Sequence, residues 1–131
     1  METFRFAIRF RLWHPTITPD EISAELGIQP RHSFVKTRGA YWCSDGEEGK
    51  GDEFLPAIDR FLDLLEPHAE FLRSFKSTGG TAELSVGWFT VQRSGGAILL
   101  SDRLAEMGAL GVDLSLDVYA PDSDLDNLGT C

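Results

Sequence analysis

Residues 4–12 read Phe-Arg-Phe-Ala-Ile-Arg-Phe-Arg-Leu, and no other stretch restricts the fold of this chain so tightly. Phe4, Phe6, Ile8, Phe10 and Leu12 share one parity, while Arg5, Arg9 and Arg11 share the other. Apolar residues recurring with a period of two specify a strand with one dry face and one cationic face. A helix would scatter the same aromatics around its circumference. The strand therefore belongs to a sheet covered on one side, and the rest of the chain must supply both its neighbours and its cover.

The cover comes from segments with a helical period. Thr18-Pro19-Asp20-Glu21 carries an N-cap, a proline at the first helical position and a capping-box glutamate, with Ile17 and Ile22 placed as a hydrophobic staple. Ile22 and Leu26 give this short helix its stripe, and Gly27 and Pro30 end it. A longer helix is expected from Asp52, with Phe54, Ile58, Phe61, Leu62 and Leu65 on one side. Pro67 interrupts it before a further turn that buries Phe71, Leu72 and Phe75. A last helix, 97–107, is predicted with Leu100, Leu104 and Met107 inward.

Two further stretches alternate like the first. In 81–92, Ala82, Leu84, Val86 and Trp88 oppose Glu83, Ser85, Gly87 and Phe89; in 112–119, Val112, Leu114, Leu116 and Val118 are expected inward, with Asp113, Ser115, Asp117 and Tyr119 outward. Residues 32–43 suit either a hairpin or one irregular strand, and 44–51 read as a loop. This order predicts an α+β fold: a largely antiparallel sheet of four to five strands with two or three helices on one face, in a ferredoxin-like or related split arrangement. Residues 1–121 form the expected domain, and 122–131 an acidic, disordered tail.

Twelve basic against twenty-one acidic residues leave a net charge of −9, which disfavours nucleic acid as a partner. The N-terminus lacks the pattern of a signal peptide and no run is long enough to cross a bilayer, so a cytoplasmic protein without membrane contact is expected. Cys43 reads as a small buried hydrophobe, with a disulfide to Cys131 possible but not indicated.

Catalytic motifs are lacking. His14, His32 and His68 stand apart, without zinc-ligand spacing; no serine lies in a Gly-x-Ser-x-Gly elbow; the paired glycines lack the Lys-Ser or Lys-Thr of a phosphate loop. Asp122, Asp124 and Asp126 lack the glycine and glutamate of a calcium loop. Neither catalytic residues nor a metal or cofactor is therefore expected. Two surfaces are candidates for binding. Arg5, Arg9, Arg11, Glu83, Phe89, Asp113, Asp117 and Tyr119 share the uncovered sheet face, either as an interface or as an Arg–Asp ladder between neighbouring strands. Asp45, Glu47, Glu48, Asp52 and Glu53 form an acidic group, either a docking patch for a basic protein or charge that offsets a helix dipole.

Ile17-Thr18-Pro19-Asp20-Glu21-Ile22, then Leu26-Gly27-Ile28-Gln29-Pro30, Tyr41-Trp42 with Ser44, the helix bearing Leu62, Leu65 and Pro67, and Leu116-Asp117-Val118-Tyr119 together resemble a bacterial family known as domain of unknown function 4279. The resemblance implies a small α+β domain and carries over no catalytic residues. By analogy with bacterial immunity proteins, it points to a non-enzymatic protein-binding domain, an immunity or inhibitor protein acting on a basic partner. The alternative is a ligand-binding or enzymatic domain whose site forms in three dimensions near Trp42, Cys43 and His32. Homo-oligomerisation through a strand edge or the open sheet face is a third route.

Overall fold

The computed structural model describes residues 4–91 and 96–120. In chain order these form β1 (Phe4–His14), α1 (Pro19–Leu26), β2 (His32–Lys36), β3 (Gly39–Cys43), β4 (Glu47–Lys50), α2 (Phe54–Leu65), α3 (Ala69–Ser77), β5 (Thr81–Thr90), α4 (Ser101–Leu110) and β6 (Asp113–Tyr119). Single 3-10 turns at Gly51–Glu53 and Glu66–His68 lead into α2 and α3, the second at the expected interruption by Pro67.

All six strands share one sheet, in the order β2-β3-β1-β5-β6 with β4 also on β1. β1 is its axis. Along one side it pairs antiparallel with β5 from Phe4↔Thr90 to Trp13↔Thr81. Along the other, β3 takes its C-terminal half and β4 its N-terminal half. The sheet is mixed rather than antiparallel throughout, because β5 and β6 run parallel, joined by α4 in a direct βαβ unit. β1, α1 and β2 make a split unit, with β3 inserted between the two strands. The combination departs from the ferredoxin-like order, in which both crossovers are split.

Where β3 passes into β4, Ser44, Asp45 and Gly46 face only Arg9 and Phe10, which makes a one-residue bulge between the pairs Arg11↔Cys43 and Ile8↔Glu47. Ser44 holds it. Its amide donates to the Phe10 carbonyl at 2.9 Å and its Oγ accepts the Phe10 amide at 3.0 Å, replacing the ladder bonds that the bulge removes. Ser44→Ala leaves the buried Phe10 amide without an acceptor and is expected to cost about 1–3 kcal/mol, read as a lower urea midpoint at unchanged m-value. A midpoint equal to that of the parent protein would show that the bulge does not depend on this hydroxyl.

The expected loop at 44–51 is thus largely strand, and the residues at 32–43 are a hairpin whose Lys36↔Gly39 pair leaves a two-residue turn, Thr37-Arg38. The even residues of β1 and of β5 meet the helices. Phe4, Phe6, Ile8, Phe10, Leu12, Leu84 and Val86 form one core with Ile22 of α1, Ile58 and Leu62 of α2, Phe75 of α3 and Met107 of α4. The capping box of α1 is present as read, with Thr18 Oγ1 accepting from Glu21 N at 3.2 Å and Glu21 Oε2 from Thr18 N at 2.9 Å. α1 is fastened to the sheet by the Trp42 indole, which donates to Ser23 Oγ at 3.0 Å. Arg103 and Asp59 tie α4 to α2, and their hydrogen bonds hold the Asp59 carboxyl below its ordinary value.

The last third of the chain departs from expectation. α4 starts at Ser101 and buries Met107 and Leu110, while Leu100 and Leu104 are exposed. In β6, Leu116 and Val118 lie at the sheet margin, 54% and 68% exposed rather than inward. Cys43 is buried as expected but is not a free thiol; Cys131 and the expected tail 122–131 lie outside the described residues.

Candidate functional site

Because the helices cover only one face, the odd residues of β1 and their neighbours in register build the opposite one. Toward the β2 end this face is concave. A cavity of about 400 Å³ is lined there by Arg11, Trp13, His32, Phe34, Tyr41 and Glu83, among others. Cys43, Lys36 and Thr81 complete its side-chain wall; Leu12 and Trp42 belong to its floor strands but send their side chains to the helix side, so they contribute backbone.

The aromatic part of the wall follows from strand register. Phe34 pairs with Tyr41, and Tyr41 with Trp13, so three rings are set side by side across β2, β3 and β1. Phe34 and Tyr41 stack at 4.7 Å with 27° between planes, Trp13 follows at 6.4 Å from Tyr41, and His32 lies 5.4 Å from Phe34. Lys36 Nζ sits 4.9 Å from the Phe34 centroid. At the β5 side of the cleft, Arg11 donates through both Nε and Nη2 to Glu83 Oε1, the Nε bond being 2.6 Å. Both side chains are about a third exposed, so the pair contributes little stability, and its effect is to fix the guanidinium against Glu83 at the cleft.

The sequence located this region through His32, Trp42 and Cys43, and all three border the cavity. It missed Trp13, Phe34, Lys36, Tyr41 and Thr81. Phe34, Lys36 and Tyr41 were visible only on placing the turn at Thr37-Arg38, which gives His32, Phe34 and Lys36 one parity and sets them against Cys43, Tyr41 and Gly39.

The eight residues of the expected interface do share the open face, as their register requires. They are not one surface. β5 separates β1 from β6, so no ladder forms between the β1 arginines and Asp113 or Asp117; Arg11 pairs with Glu83 of the intervening strand instead. Arg9 and Phe89 are 8% and 5% exposed, the latter stacked on Tyr119 at 4.8 Å. Burial, then the nearby Arg31, pushes the Arg9 guanidinium below its ordinary value against the pull of Glu48 and Asp45. Only Arg11 and Glu83 of the eight line the cleft.

The acidic group is divided by β4. Glu47 shares parity with Gly49 on the helix side and binds Arg60 of α2, whereas Glu48 lies on the open side beside Arg9. Glu53 accepts the Lys50 amide at 3.1 Å and caps the turn that also holds Asp52. The five carboxylates do not share one face. Among the described residues no three His, Cys, Asp or Glu side chains are grouped to hold an ion, and no helix is long and apolar enough to cross a membrane.

Fold and site together define an α+β domain with a mixed six-stranded sheet, helices on one face and an aromatic cleft on the other. The chain belongs to the family described as Domain of unknown function (DUF4279), whose model matches residues 2–121. No curated protein and no solved structure matches it.

Proposed function

We propose that the chain is a non-enzymatic binding domain whose open-face cleft receives a planar ligand carrying an anionic group. The observation that carries this reading is the row Phe34, Tyr41 and Trp13, three neighbouring rings on adjacent strands, flanked by Lys36 and Arg11. Side by side, the rings give the cleft an aromatic wall against which another π system can pack, and Lys36 supplies positive charge beside it, Arg11 being already paired with Glu83. The volume, about 400 Å³, falls in the range of small-molecule sites. Binding is favoured over chemistry because Glu83 is engaged by Arg11 and Cys43 is not a free thiol, which ties up the cleft's carboxylate and its sulfur.

Matched probes test the two halves of the proposal: AMP against adenosine, and benzoate against benzamide, titrated while following backbone amide resonances. The anionic member of each pair is expected to bind more tightly and to shift residues 11, 13, 34 and 41. Phe34→Ala and Tyr41→Ala are each expected to weaken it by about tenfold. Absence of saturable shifts at those positions with all four probes would count against the reading.

A protein partner is the second reading, and the same cleft favours it, since Trp, Tyr and Arg are the residues on which protein interfaces concentrate their binding energy. An inhibitor or immunity protein would use this face to cover its target. In that case Tyr41→Ala and Trp13→Ala abolish partner capture while the small probes have no effect.

A further inference from the structure

Three strands present an edge among the described residues: β2, β4 and β6. Open edges invite pairing with another chain, and proteins blunt them with short length, lysine, proline or bulges. β4 is short, Glu47–Lys50, enters from the Ser44 bulge and is mostly charged. β2 is short, His32–Lys36, and carries Lys36 at its end. Of such devices β6 has only charge, in Asp113 and Asp117 on the open side. It runs unbroken from Asp113 to Tyr119 without lysine, arginine or proline, and bares Leu116 and Val118 at 54% and 68% exposure.

We propose that β6 is the contact strand of a homodimer in which two copies pair antiparallel about Leu116, joining two six-stranded sheets into one. The sequence of the strand selects this occupant and this register. Centred on Leu116, Leu116 meets Leu116 of the second copy, Leu114 meets Val118, Ser115 meets Asp117, and Asp113 meets Tyr119. Apolar residues oppose apolar ones on the helix side, polar residues oppose polar or aromatic ones on the open side, and no carboxylate faces another. Moving the centre to Ser115 sets Asp113 against Asp117 twice; moving it to Asp117 sets that carboxylate against itself. A two-fold axis requires a strand complementary to its own reverse, and residues 113–119 meet that requirement in one full-length register. The net charge of −9 on each copy opposes long-range approach, so the dimer tightens as salt rises, the opposite of an interface held by ion pairs.

Sedimentation equilibrium tests this on the whole chain at low and high salt. Ser115→Asp places a carboxylate opposite Asp117 at two symmetry-related points and is expected to weaken the dimer by about tenfold; Ser115→Lys is expected to tighten it by a similar factor. Leu116→Lys, at a position already exposed, brings two ammonium groups together on the axis and yields a monomer. Circular dichroism of each variant confirms that the fold is retained. A parent protein that stays monomeric at about 1 mM, the weak limit of specific association, overturns the proposal. So does a dimer whose constant none of the three substitutions moves, since its contact would then lie elsewhere.

Discussion

Gly39→Ala is expected to destabilise the protein by about 3 kcal/mol or more, and to disturb the cleft at the same time. Gly39 is the first residue of β3, with a φ of 148° that residues with a β-carbon rarely adopt. The space is closed as well. A Cβ there would lie 2.5 Å from the His14 carbonyl oxygen, 2.8 Å from Trp13 Nε1 and 3.0 Å from Trp13 Cε2. The first of these atoms is backbone in the central strand and cannot rotate away. Relief requires β3 to back off from β1 where Ala40 pairs with His14, which is also where Tyr41 and Trp13 are held side by side. Urea denaturation should show the loss of stability, and the resonances of Trp13, Phe34 and Tyr41 should move together. Thr37→Ala, in the exposed turn two residues away, serves as a control with little effect. A loss under about 1 kcal/mol for Gly39→Ala would mean that the hairpin yields more easily than close packing allows.

Gly39 also marks the limit of what alternation along the chain can specify. The first strand was legible because alternation is decisive when one parity is uniformly large and apolar and the other is arginine. It continues to His14, past the expected end at Leu12, and there the pattern inverts: Trp13 falls on the polar parity and His14 on the apolar one. Nothing in a one-dimensional pattern says that an indole will lie over a glycine of another strand, or that an imidazole will find every polar partner inside the core. Residues 47–50 failed for a related reason. Glu-Glu-Gly-Lys has no strand propensity of its own and is extended because β1 offers an open ladder beyond the Ser44 bulge. Alternation points Leu116 and Val118 inward because it reports which residues share a face and not whether anything covers that face at the edge of a sheet. The cleft was half visible. The sequence points to His32 and Cys43, but the aromatic row is a property of the registers between β2, β3 and β1, which depend on a turn that composition alone does not position.

The second large effect is expected at His14, whose side chain is 1% exposed on the helix side of β1. Its Nδ1 accepts two backbone amides, Thr16 N at 3.0 Å and Ile17 N at 2.9 Å, which makes it the unprotonated nitrogen. Nε2 therefore carries the hydrogen and donates to Thr78 Oγ1 at 2.7 Å; that hydroxyl passes its own hydrogen to the Ser74 carbonyl at 2.8 Å. The ring packs on Phe75 at 4.7 Å. One imidazole thus closes the turn after β1 and joins it to the end of α3, with no polar atom left over. His14→Ala removes the acceptor for two amides and opens a cavity beside Phe75, at a cost of about 3 kcal/mol. The same network makes stability depend on pH. Burial pushes the His14 pKa below its ordinary 6.5, and the carboxylate of Glu21 offsets this only in part. Above 6.5 the imidazole is neutral in both folded and unfolded chains, and its full contribution is present. As the pH falls below that value the unfolded chain takes up a proton that the folded one refuses, so stability drops by up to about 1.4 kcal/mol per pH unit until the folded state is protonated too. Urea midpoints measured from pH 7.5 down to about 5 should fall for the parent protein and lose most of that slope in His14→Ala. The loss tied to Asp59, whose pKa is also depressed, begins only in the carboxylate range and leaves this window clear. Equal slopes for the two proteins would place the titrating group elsewhere and leave His14 as packing alone.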